Sequence, residues 1–128
     1  MNPMLPGWMS HDDRSSIRRV IECQLAAFKA EDGAAALSFA TPERQQFGSG
    51  ERFLDMVRSG FPLLMHSRHV EFGDPQYLQG RWTQPVRVTA EDGRSVSTLY
   101  VMEQQPDGSW RIDRCVFHGP RPAPQYLS

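Results

Sequence analysis

The sequence predicts an α+β fold, with three or four N-terminal helices packed on a strongly curved antiparallel sheet built from the second half. Three observations predict it. Apolar residues recur at intervals of three and four from Ile17 to Phe28. Beyond Pro62 the spacing changes to the alternation of strands. Turn residues then punctuate the chain at Gly73-Asp74-Pro75, Asp92-Gly93 and Pro106-Asp107-Gly108. Helices followed by meandering strands settle into two layers.

The elements follow in order. Residues 1–10, with Pro3, Pro6 and Gly7, have no period and read as an arm. Ser10 is placed to cap a helix whose first turn carries Asp12 and Asp13 at the positive end of the dipole. Its apolar face holds Ile17, Val20, Ile21, Gln24, Leu25 and Phe28. Asp32-Gly33 ends it and Asp32 caps a short Ala-rich helix. Thr41-Pro42 starts another, since proline at the first helical position forfeits no hydrogen bond. Glu51 to Phe61 forms a last helix with Phe53, Met56, Val57 and Phe61 on one face, stopped by Gly60 and Pro62.

Strands are expected over 66–72, continuing at 76–78 past the kink, then over 81–90, 96–104 and 110–118. Pro85 lacks a ladder donor, which predicts an edge or a bulge there. In the last strand strict alternation leaves neither face apolar, and a bulge at Asp113-Arg114 brings Ile112, Cys115 and Phe117 to the core side. Residues 119–128, with three prolines, form an extended tail, so one domain occupies 11–118.

A domain of 128 residues buries roughly two-thirds of its unfolded surface and needs no staples. With 14 basic against 15 acidic residues, the chain has no charge surplus to draw nucleic acid or anionic lipid as a partner. No apolar run approaches the length of a membrane span, and no export signal opens the chain. Cys23 and Cys115 match no metal or redox spacing and read as free thiols on core elements of a cytoplasmic protein.

The helix Ile-Arg-Arg-Val-Ile-Glu-Cys-Gln-Leu-Ala-Ala-Phe (17–28), followed by Phe-Ala-Thr-Pro (39–42), Gly-Ser-Gly-Glu-Arg-Phe-Leu-Asp-Met-Val-Arg (48–58) and Pro-Asp-Gly-Ser-Trp-Arg-Ile (106–112), resembles a bacterial domain family of unknown function. That family is related to the nuclear transport factor 2-like superfamily, with its cystatin-like cone. The resemblance covers about 14–118. It implies helices curled against a bent sheet, often with a pocket between them and often in a dimer. Enzymes and pure interaction modules share that shape, so activity stays open.

Residue chemistry narrows the choice. His66 and His69 are three apart, which on a strand sends them to opposite faces, and no third ligand follows, so no metal and no cofactor are expected. The ketosteroid type of isomerase needs a phenol from the first helix, which here has Cys23, Gln24 and Phe28 but no tyrosine. A cofactor-free lyase or isomerase would have to use Tyr100, Asp113 or His118 inside the cone. Gln24 lies on an apolar face, where an unpartnered amide costs about 1 to 3 kcal/mol, so it should bond to Tyr100 or to something bound. Leu99-Tyr100-Val101-Met102 is apolar on both faces, and a second copy of the chain is the economical cover for the convex one.

The preferred expectation is a pocket protein, dimeric through that convex face, which binds a small apolar or amphipathic molecule or a protein. Candidate ligand contacts are Gln24, Phe28, Tyr100, Asp113 and His118. The alternatives are the lyase or isomerase, and a dimerisation scaffold whose cone is filled.

Overall fold

A computed structural model of the chain describes residues 9–46 and 48–117. His118, the tail expected over 119–128 and most of the expected N-terminal arm lie outside them. Helix α1 spans His11–Lys29, α2 Gly33–Ser38, α3 Pro42–Gln45 and α4 Gly50–Gly60. Each starts at a side-chain cap: Ser10, Asp32, Thr41 and Ser49 accept from the backbone amides of Asp13, Ala35, Arg44 and Arg52. A 3-10 helix over Pro62–His66 follows and was not anticipated; it takes His66 out of the strand expected to begin there.

The strands are β1 Ser67–Phe72, β2 Gln76–Leu78, β3 Arg81–Ala90, β4 Ser95–Gln104 and β5 Trp110–Phe117. All pairings are antiparallel, in the order β1-β3-β4-β5, with β2 also on β3. Gly93, at φ 93°, supplies the left-handed turn between β3 and β4. The outer edge of β5 is covered where Thr41 N donates to Ile112 O and Ile112 N to Phe39 O, at 3.0 and 2.8 Å. None of the described helices is long and apolar enough to cross a membrane.

Two details correct the sequence reading of Pro85. It sits in β3, which is interior, paired with Leu99 of β4. Its missing N–H is tolerated because β1 and β2 break beside it, and Gly73 N donates to Pro85 O there, at 3.0 Å. Gln84, 1% exposed, turns its Nε2 to Gly73 O at 2.7 Å and to Pro85 O at 2.9 Å, so its amide tends the gap.

The core lies between the helices and one face of the sheet. Ile17, Ile21, Leu25 and Phe28 of α1 meet Val86, Val88, Tyr100, Met102 and Ile112. Trp110 Nε1 donates to Asp13 Oδ1 at 3.0 Å, which fastens the start of α1 to the start of β5. On α4 the buried residues are Leu54 and Val57, while Met56, expected on that face, is 56% exposed. Cys23 also departs from expectation: it lies exposed on the outer side of α1.

Candidate functional site

The bulge in β5 falls where alternation demanded it. Val101 pairs with Arg114 and Met102 with Ile112, so Asp113 is the extra residue. The shift puts Cys115 opposite the buried Tyr100 and leaves Val116 opposite Leu99 on the other face. Asp113 takes a structural part: its side chain, 9% exposed, accepts from Arg44 Nε of α3 and from Arg81 Nη1 at the start of β3, each at 3.3 Å. Two arginines from separate elements, α3 and β3, thus hold the carboxylate of the bulge.

Beside this edge, between the helices and β5, is a cavity of about 500 Å³. Such a volume lies within the range of small-molecule sites, about 300–1,000 Å³. Phe28, Phe53, Val57, Leu64 and Ile112 make its apolar walls, and Arg44, Ser49 and Arg52 are its polar ones on the helical side. Phe28 and Phe53 pack ring to ring, their centroids 5.7 Å apart at 49°.

Of the candidate residues, Gln24, Phe28 and Asp113 line this cavity. Gln24 is 4% exposed and does not reach for Tyr100: Nε2 donates to Ala36 O at 3.0 Å, pinning α1 to α2. The Gln24 carbonyl has no partner among the described residues. Tyr100 is a correction, since it is wholly buried and is not among the cavity walls. The lyase arrangement of Tyr100, Asp113 and His118 around one space is therefore not assembled by the described residues.

Tyr100 Oη makes no hydrogen bond among the described residues, and Gln84 Oε1, on the neighbouring strand opposite it, makes none either. The polar group beside the phenol is the Cys115 thiol, a weak partner. Burial pushes the phenol well above its usual range, with the thiol as a second cause. Burial likewise pushes Cys115 up to about 12, offset in part by Thr98 and Tyr100. A thiol so held is neutral at any ordinary pH and is not a nucleophile. Because a buried hydroxyl without a good partner costs stability, Tyr100→Phe should stabilise the fold by about 1 kcal/mol. Thermal unfolding checks this: the midpoint should rise by a few degrees, and an equal fall would mean that the hydroxyl has a partner.

Arg44 and Arg52 were not singled out from the sequence; the signal available was their position on either side of Gly48-Ser49-Gly50. His66 closes the 3-10 helix, and His69 in β1 lies 3.5 Å from the exposed Glu71. Among the described residues no three His, Cys, Asp or Glu side chains are placed to hold a metal ion.

Among curated proteins no match is found. A solved structure that matches is an NTF-2 like protein of unknown function from Burkholderia xenovorans LB400, 21% identical, with 89% of this chain and 91% of that chain covered at a TM-score of 0.46. The family model that matches spans residues 10–123, from the cap of α1 past the end of β5, and the chain belongs to the family described as Domain of unknown function (DUF4864).

Proposed function

We propose that the chain is a cytoplasmic pocket protein without catalytic activity, which binds a small apolar or amphipathic molecule in the cavity between α1, α2, α4 and β5. The observation that supports this is the cavity itself, about 500 Å³ with mainly apolar walls, where a scaffold module would have packed side chains. The free thiols of Cys23 and Cys115 agree with a reducing compartment. A ligand that binds only the folded state raises the unfolding midpoint in proportion to its occupancy. A thermal-shift screen of small apolar acids, steroids and polycyclic compounds should therefore contain stabilisers of the wild type. Leu37→Trp, which fills the cavity from its α2 wall, should abolish their effect. The reading fails if nothing stabilises the wild type, or if the variant responds equally.

A second proposal concerns the opposite face of the sheet. Pro85, Leu99 and Val116 form one row across β3, β4 and β5, with Val101 beside it and Val116 38% exposed. We infer that a second copy of the chain covers this row, giving a homodimer. Leu99→Asp should halve the mass measured by sedimentation at micromolar concentration. A wild type that sediments as one chain at high micromolar concentration removes the idea.

A further inference from the structure

The cavity's walls are not neutral. Their charged residues are Arg44, Arg52, Arg114 and Asp113, and Asp113 is already held by Arg44 and Arg81. Positive charge is thus in excess among the residues of the wall. Arg52 enters no ion pair among the described residues. Its stem lies over Gly48, whose added Cβ would meet Arg52 Cδ at 3.5 Å. Arg44 spends only Nε on Asp113 and keeps its two terminal nitrogens without a partner among the described residues. Between these arginines α4 begins, with its positive dipole end at Ser49. The acidic residue of that first turn, Glu51, is exposed and is not part of the wall.

We propose that the ligand is an amphipathic anion: an apolar chain or ring system seated against Phe28, Phe53, Val57 and Leu64, with a carboxylate at Arg52 and Arg44. This rests on the pocket reading above. The apolar part supplies burial and tolerates many shapes, whereas a guanidinium fork selects a planar carboxylate. Gln24 also lines the cavity, and its side-chain carbonyl, unpartnered among the described residues, suits a hydroxyl or amide donor on the apolar part. At the ~30 Å³ that a water occupies in the liquid, the space holds about 17 groups of that size, room for a ten-carbon carboxylate.

The test is calorimetric titration of the full chain with decanoate, decanol and decylamine, which share one apolar part and differ in head group. Decanoate should bind at least ten-fold more tightly than decanol, and decylamine more weakly than either. Arg52→Gln, at an exposed position that leaves the fold intact, should weaken decanoate about ten-fold and leave decanol unchanged. Leu37→Trp should abolish binding of both. If decanol equals decanoate, or if Arg52→Gln affects neither, the anionic head is wrong while the apolar pocket stands. If no compound binds, or if Leu37→Trp binds them as before, the pocket reading falls and this inference falls with it.

Discussion

Replacing Gly50 by alanine should cost the fold about 3 kcal/mol, although alanine is the better helix former. Gly50 opens α4 and Gly33 opens α2, and the two helices meet backbone to backbone there. A Cβ on Gly50 would stand 2.5 Å from Ala34 N, a contact with main chain that no rotamer can relieve. Neither glycine has a positive φ, so on local grounds alone alanine would gain up to about 1 kcal/mol. The clash wins because parting the helices undoes packing that α2 and α4 share, and overpacking a tight site costs typically 1–3 kcal/mol and occasionally more. For a domain of this size the midpoint should fall by roughly 10 °C. Gly60→Ala, at the far end of α4 with nothing within 4 Å, is the control and should be neutral or slightly stabilising. Equal midpoints for the two variants would refute the account. Since Gly48, Ser49 and Arg52 belong to the cavity wall, Gly50→Ala should also loosen ligand binding.

Local features were the legible ones. The period of α1, the caps at Ser10, Asp32 and Thr41, and the Asp-Gly turn at 92–93 are decided within a few residues, and the structure has them where the sequence put them. Even the bulge at Asp113 was readable, because alternation fails there in a way that one extra residue repairs. The other features depend on partners distant in sequence. Leu54 rather than Met56 is buried on α4, which meets α2 backbone to backbone at Gly50 and Gly33. Pro85 could sit in an interior strand only because a break at residues 73–75 falls opposite it. Tyr100, an aromatic on the inward side of β4, was expected at the cavity. It stands in a row with Gln84 and Cys115 instead, and only the cross-strand register fixes that. Arg44 was invisible as a site residue because its partner, Asp113, lies 69 positions away.

Truncating Phe28 to alanine should be the most damaging single change on the cavity wall, and its cost separates wall from core. The ring is 1% exposed and rests on Phe53 with centroids 5.7 Å apart. Removing a buried phenylalanine costs about 3–5 kcal/mol, and the lost aromatic contact belongs to that sum. The value should lie near the lower end, about 3 kcal/mol. Phe28 is one of the residues that line the cavity, so fewer close contacts are lost there than in a site enclosed all round. The void left behind merges with the existing cavity rather than forming a new closed one. Phe28→Leu keeps most of the apolar surface and should cost about 1–1.5 kcal/mol. Urea unfolding measures both: the midpoint should shift with little change in slope, because the same surface is exposed on unfolding. A Phe28→Ala cost below 1 kcal/mol would mean that the ring does not close the packing between α1 and α4. A cost above 5 would mean that the space beside it is filled. The two failures point in opposite directions, so the measured value tests the emptiness of the cavity independently of any ligand.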